Sequence, residues 1–176
     1  FDCDLKGNYQ VKNQRTALAA LEILTKKGFK ISHTDTQRGI GSVVSNTGLL
    51  GRWQVLGTLP TLVCDTAHNK EGLLFTTKQL QQINQGVLHI VFGVVGDKDL
   101  EAILPLLPSS ARYYFCAPNI PRALNVAILK QKAIDFSLTG NSFKSVKAAL
   151  RAALKAAAIN DIIYVGGSTF VVAEVV

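Results

Sequence analysis

From about residue 52 to the end, short apolar runs alternate with stretches of helical periodicity, and no other feature limits the fold of this chain so strongly. The runs "RWQVLG" (52–57), "TLVCD" (61–65), "VLHIVFGVV" (87–95), "ARYYFCA" (111–117) and "DIIYVGG" (161–167) are rich in Val, Ile and aromatic residues and too short for helices. Between them, "NKEGLLFTTKQLQQIN" (69–84), "DLEAILPLL" (99–107), "PRALNVAILKQKAI" (121–134) and the Ala-rich "SFKSVKAALRAALKAAAI" (142–159) read as helices. "FSLTG" (136–140) reads as a short strand, and "STFVVAEVV" (168–176) as the start of a last helix. Strands that are apolar throughout belong in a parallel sheet covered on both faces. The expected class is therefore α/β, an open, mostly parallel sheet with helices on both faces. Upstream, "QRTALAALEILTKKG" (14–28) is a helix closed by Lys-Lys-Gly. "TDTQRGIGSVVSNTGLLG" (34–51), rich in Gly, Ser, Asn and Thr, reads as a linker or domain boundary.

A chain of 176 residues with 48% hydrophobic and 18% charged residues is globular, with enough length for a real core. No apolar run approaches the roughly 20 residues of a membrane helix, so no membrane partner is expected. "FDCDLKG" is neither a signal peptide nor an initiator segment, and the expectation is a piece of a larger, cytoplasmic protein. A net charge of +7 can mean nucleic acid, a membrane surface or a small anionic substrate; here it is spread out rather than interleaved with aromatics, so nucleic acid is not an expected partner. Cys3, Cys64 and Cys116 form no CxxC and read as reduced thiols.

In an open parallel sheet, ligands bind beyond the carboxyl ends of the strands. The loops at that edge carry Asp65-Thr66-Ala67-His68-Asn69, Gly96-Asp97-Lys98-Asp99, Pro118-Asn119-Ile120-Pro121-Arg122 and Ser168-Thr169. Acids, cations, a His and hydroxyls gather there, while the strands between carry almost none. Each also has a plain structural reading: Asn69, Thr66 or Ser168 as a helix cap, Asp97 and Asp99 near a helix start, Arg122 as a solvated residue. Neither GxxxxGK[ST] nor GxGxxG occurs.

Taken together, "LKGNYQVKNQRTAL" (5–18), "GRWQV" (51–55), "CDTAHN" (64–69), "VFGVVGDKD" (91–99) and "GGSTF" (166–170) resemble the carboxyl-terminal part of folylpolyglutamate synthase/dihydrofolate synthase, in the Mur ligase superfamily. The usual family motif after the strand is Asp-Gly-Ala-His-Asn; here Thr66 replaces the Gly. The resemblance implies a Rossmann-like carboxyl domain over residues 43–176, with residues 1–42 as the end of a central ATPase domain and its linker. It implies an ATP-dependent ligase that adds L-glutamate to folate or dihydropteroate through an acyl phosphate, with ATP and Mg2+ as cofactors. The P-loop and the metal ligands would lie in the upstream domain of the same chain, so these residues alone are not expected to catalyse ligation and supply no metal ligand. A monomer is expected.

The same resemblance suggests site residues where motifs match. Asn13 corresponds to an asparagine near the adenine, Arg52 to an arginine on the ATP phosphates, and Asp65 to an acid on the ribose side. His68 corresponds to a residue close to the reacting phosphate and glutamate, and Lys98 and Ser168 to ligands of the glutamate carboxylates. His68 and Lys98 are the catalytic candidates. Domain closure would bring Arg52 and Asp65 to the nucleotide. Two alternatives stay open: a non-catalytic Rossmann-like binding module, and a Mur ligase acting on a cell-wall precursor.

Overall fold

The computed structural model describes residues 1–176. Three helices come first: α1 (Gln10–Lys26), α2 (His33–Gly41) and α3 (Val43–Thr47). Helix α1 starts four residues before the expected stretch. It ends as its basic last turn requires, with Gly28 at φ +96° and the Lys27 amide donating back to Ile23 and Leu24.

The stretch expected as a linker or domain boundary, 34–51, is largely helical, as α2 and α3. Two caps explain them. Ser32 and Asp35 form a reciprocal capping box, the Ser32 hydroxyl accepting from the Asp35 amide at 3.0 Å. The carboxylate of Asp4 accepts from the Val43 and Val44 amides at 3.1 and 2.8 Å. The first cap is a local pattern, Ser-x-x-Asp, readable in sequence; the second joins residues some forty positions apart and is not.

The remainder alternates as its pattern requires: β1 (Gln54–Thr58), β2 (Thr61–Cys64), α4 (Lys70–Ile83), β3 (Leu88–Phe92), α5 (Leu100–Ile103) with a 3-10 turn (Leu104–Leu106), β4 (Arg112–Phe115), α6 (Val126–Ile134), β5 (Gly140–Ser142), α7 (Val146–Ala156), β6 (Ile162–Gly166) and α8 (Thr169–Ala173). Two expectations shift. Helix α6 begins at Val126 rather than at Pro121, because the Asn125 side chain caps it by accepting from the Ala127 amide at 2.8 Å. The short strand lies at 140–142 rather than within 136–140. "FSLTG" instead closes α6: Phe136, Ser137 and Leu138 donate to the carbonyls of its last turn, with Ser137 at φ +59°.

The six strands form one sheet in the order β1-β2-β6-β3-β4-β5. Strand β1 is antiparallel to β2, and every other pairing is parallel. Alternate side chains of the central strands serve two cores. Leu88, Ile90, Phe92, Tyr113, Phe115, Ile162 and Tyr164 pack beneath α4, α5 and α6 through Leu73, Leu80, Ile103 and Leu129. On the opposite face, Val91, Tyr114, Ile163 and Val165 pack beneath α7 and α8 through Val146, Ala149, Ala153, Val171 and Val172. Burying a Leu, Val or Phe side chain contributes about 1.5–3 kcal/mol each. Both faces are therefore closed to ligands, and the strand ends remain. No helix is long and apolar enough to cross a membrane.

Candidate functional site

Five parallel strands run in one direction, so the loops after β2, β3, β4 and β6 meet at one edge. The crossovers between them are drawn close by backbone bonds. Asp65 N–H donates to the Val165 carbonyl at 3.1 Å, and Cys116 N–H to that of Phe92 at 2.9 Å. Beyond β3, Gly96 N–H donates to the Arg122 carbonyl at 2.8 Å, and Val95 bridges Ala123. This short bridge sets Arg122 in the same wall as Lys98. Gly167 lies at φ +92° with its α-carbon against the Gly93 carbonyl, a place where a Cβ would come within 2.7 Å of that oxygen.

Two adjoining hollows open at this edge, and a third lies beyond β4 and β5. The first, about 270 Å³, is walled by Tyr9, Lys12 and Asn13 of the α1 segment, Arg52, and the turn Asp65–Asn69 with the start of α4. The second, about 310 Å³, is walled by Val95, Asp97, Lys98, Arg122, Ser168 and Phe170. His68 belongs to both walls.

Asp65 is 1% exposed, and its carboxylate is largely occupied by the protein itself. Oδ2 accepts from the Tyr9 hydroxyl at 2.6 Å and from the Trp53 amide at 2.7 Å, while Oδ1 accepts from the Ala67 amide at 2.8 Å. Burial pushes its pKa up, opposed by the Tyr9 hydroxyl, the Ala67 and Trp53 amides and the nearby Arg52. Burial, with the Asp65 charge behind it, also raises the Tyr9 phenol. Asp65 thus ties three segments together: the start of α1, the turn before β1 and its own loop. On Oδ1 a lone pair remains for one further donor.

The turn before β1 is built to project Arg52. It is flanked by Gly51 at φ +72° and Trp53 at φ +50°. Trp53 is buried, and the Gly51 carbonyl accepts from the Thr66 amide at 2.9 Å. The left-handed backbone of Trp53 is strained for a bulky residue and is held by its bond to Asp65. The exposed Arg52 guanidinium forms no ion pair or hydrogen bond within the chain. His68 Nδ1 lies 2.9 Å from the Thr66 carbonyl. A carbonyl only accepts, so Nδ1 carries the proton and Nε2 presents its lone pair in the neutral ring.

The structure gathers all six expected site residues at one edge. Asn13, Arg52 and Asp65 line the first hollow, Lys98 and Ser168 the second, and His68 both. Asn69 is also a helix cap, its Oδ1 accepting from the Gly72 amide at 2.8 Å. Ser168 likewise caps α8, accepting from the Phe170 amide at 3.2 Å. Tyr9 and Lys12 also wall the first hollow and were not among the expected residues; they share a helical face with Asn13, a spacing that could have pointed to them. Arg122, which the edge loops offered with a solvated residue as its plain alternative, lies over the Phe170 ring at 4.9 Å and faces the second hollow.

Two cations, Arg52 and Lys12, face the first hollow with two asparagines, which suits a phosphate-bearing ligand. A buried hydroxyl in its wall, Thr66 Oγ1, has no partner. The residues therefore fit part of a nucleotide. For the magnesium they do not: no group of three His, Cys, Asp or Glu is placed to hold a metal ion.

An open α/β sheet with anion-suited hollows at its carboxyl edge defines a ligand-binding class rather than one activity, and the comparisons narrow it. Residues 51–169 match the family of the Mur ligase glutamate ligase domain, and the chain belongs to that family. Within it, the relatives and structures it resembles are dihydrofolate synthase/folylpolyglutamate synthases. It is 32% identical over 165 residues to the dihydrofolate synthase/folylpolyglutamate synthase of Escherichia coli (strain K12), covering 93% of this chain and 36% of that protein. To the protein of the same name from Buchnera aphidicola (subsp. Acyrthosiphon pisum) it is 30% identical over 161 residues, covering 90% of this chain and 38% of the relative. Among solved structures, E. coli FolC in complex with DHPP and ADP matches with a TM-score of 0.80 at 31% identity, covering 93% of this chain and 37% of that one. A bifunctional folylpolyglutamate synthase/dihydrofolate synthase with Mn, AMPPNP and L-glutamate bound matches at 0.75 and 27% identity, covering 89% and 37%. The chain thus spans a little over a third of the length of these relatives.

Proposed function

We propose that this chain forms the carboxyl-terminal half of the cleft of an ATP-dependent ligase joining L-glutamate to folate or dihydropteroate. Residues 1–42 would close a central ATPase domain, and the rest would be the glutamate-ligase domain. The observation that carries this reading is the pair of adjoining hollows with His68 common to their walls. One faces the chain with Arg52 and Lys12, suited to phosphates; the other with Lys98 and Arg122, suited to the two carboxylates of an amino acid.

In such a reaction the acceptor carboxylate takes the terminal phosphoryl group of ATP, releasing ADP. The amine of glutamate then attacks the acyl carbon and displaces phosphate. Arg52 would neutralise charge on the phosphates, an effect that is strong once the cleft excludes water. Lys98, Arg122 and the Ser168 hydroxyl would hold the incoming glutamate. His68 Nε2, fixed as an acceptor by the bond from Nδ1 to Thr66, would take the proton the ammonium group must lose before it attacks. Asp65 would offer Oδ1 to one ribose hydroxyl and, through Trp53, hold Arg52 in place. The charge-neutralising metal belongs to the domain that meets this one.

The reading is tested by ADP release from the full-length protein with ATP, L-glutamate and either dihydropteroate or a folate. His68→Gln should lower kcat about a hundredfold or more, and Lys98→Ala should raise the KM for glutamate. Glutamate-dependent turnover unchanged in both variants would remove the second hollow from the site. The relatives favour folate substrates over a cell-wall precursor, as those named are folylpolyglutamate or dihydrofolate synthases.

A further inference from the structure

Thr66 stands where the resembled motif carries glycine, and its three polar groups are used unequally. Its amide donates to the Gly51 carbonyl at 2.9 Å, beside Arg52. Its carbonyl accepts from His68 Nδ1 at 2.9 Å. The backbone of this residue therefore joins the arginine turn to the histidine. Its hydroxyl does nothing within the chain: Oγ1 is buried and has no hydrogen-bond partner, in a residue that is 7% exposed. Buried hydroxyls nearly always find a partner, so this one is an anomaly in a well-packed region. Apart from Asn84 Oδ1, far along at the end of α4, it is the sole such side-chain atom.

The location says what the partner is. Thr66 lines the first hollow together with Lys12, Arg52 and His68, and with Glu71 as the one exposed carboxylate of that wall. The acid nearest to it, Asp65, is occupied by Tyr9, Trp53 and Ala67. A hydroxyl beside cations and without a protein acceptor is suited to donate to an anionic oxygen. Its methyl packs toward Gly51, where an added Cβ would come 2.9 Å from Thr66 Cγ2. The side chain thus has a methyl toward the arginine turn and a hydroxyl without a partner, and a change between staggered χ1 rotamers exchanges their directions.

We propose that Thr66 Oγ1 is a ligand of the nucleotide phosphates, donating a hydrogen bond to a phosphate oxygen next to Arg52. The proposal rests on the nucleotide reading of the first hollow. A glycine at this place supplies the backbone bonds but not this donor, so the threonine gives the chain an additional phosphate contact.

The test is binding of AMPPNP, inorganic tripolyphosphate and adenosine to the full-length protein by calorimetry, with Thr66→Val, Thr66→Ser and Thr66→Gly. Valine keeps the shape and removes the hydroxyl. It should weaken AMPPNP and tripolyphosphate about tenfold or more, leaving adenosine unchanged. Serine should bind both phosphate ligands within about twofold of the unmodified protein, and glycine should match valine. Equal affinities for the unmodified protein and the valine variant would overturn the proposal. So would equal losses in valine and serine, which would make side-chain packing, not the hydroxyl, the cause. Should the unmodified protein bind none of the three probes, the nucleotide reading itself would fall; should Arg52→Ala weaken AMPPNP while Thr66→Val does not, only the role of Thr66 would. Thermal unfolding of each variant checks that the fold is retained, with the glycine variant carrying the comparison if valine does not fold.

Discussion

Each side of the sheet holds a histidine near an aspartate, and the two pairs differ in what is left over. Toward the amino ends of the strands, His89 is fully buried, with Nδ1 2.9 Å from the Tyr114 hydroxyl and Nε2 3.2 Å from Asp161 Oδ2. Asp161 also accepts from the Val87 and Ala158 amides at 2.8 and 2.7 Å. Every polar group of this cluster has a protein partner, and it joins the start of β3 to the start of β6. At the carboxyl edge, Asp65 is likewise satisfied, but His68 Nε2, Arg52, Lys98, Arg122 and Thr66 Oγ1 have no hydrogen-bond partner in the chain. The same residue types therefore serve stability at one end and present chemistry at the other. The difference lies in unused hydrogen-bonding capacity, not in residue identity.

Substitutions at the two ends should separate these roles. Arg52→Ala should reduce kcat/KM of the full-length protein for the proposed ligation by about a hundredfold to a thousandfold, roughly 3–4 kcal/mol, without lowering its melting temperature. An active variant, or one that unfolds early, would erase the contrast. Asp161→Ala, at the opposite end, should do the reverse. It leaves two amides and His89 unpaired, and should lower stability in urea by about 2–3 kcal/mol with substrate KM values unaltered.

The two acids should also answer oppositely to pH. Backbone amides of Ala158 and Val87 hold Asp161 below the usual carboxylate range. Its contribution is present above the ordinary carboxylate pKa of about 4 and is lost as pH falls through the lower folded value. Burial holds Asp65 above that range, so the folded state binds its proton more tightly than the unfolded state. The stability it contributes on protonation is therefore greatest at low pH and fades as pH rises through the raised folded value. Unfolding measured from pH 3 to 7 should show Asp161→Asn abolishing an acid-side loss and Asp65→Asn abolishing an opposing gain. Parallel profiles for the two variants would break the comparison. The smallest effect is expected at Asn69, which serves as a cap within the site loop. Asn69→Ala should cost about 1 kcal/mol, read as a modest fall in melting temperature.

What the amino-acid order determines by itself is the scaffold and the address of the site. The apolar runs around Val91, Tyr114 and Val165 and the helices between them require a parallel sheet with two buried faces. That in turn sends Asp65, His68, Lys98 and Ser168 to one edge, because hydrophobic periodicity is a local property that burial rewards directly. Tertiary structure alone decided the rest. Helix α3 is capped by Asp4 across forty residues of chain. A loop-to-loop bridge from Val95 to Ala123 sets Arg122 in the same wall as Lys98. Asp65 turns inward to Tyr9 and Trp53 while Thr66 Oγ1 is left without a partner. Which polar groups are satisfied depends on donors and acceptors distant in sequence, brought within 3 Å only once the sheet has closed, and it is that pairing, more than the residues themselves, that separates a site from a scaffold.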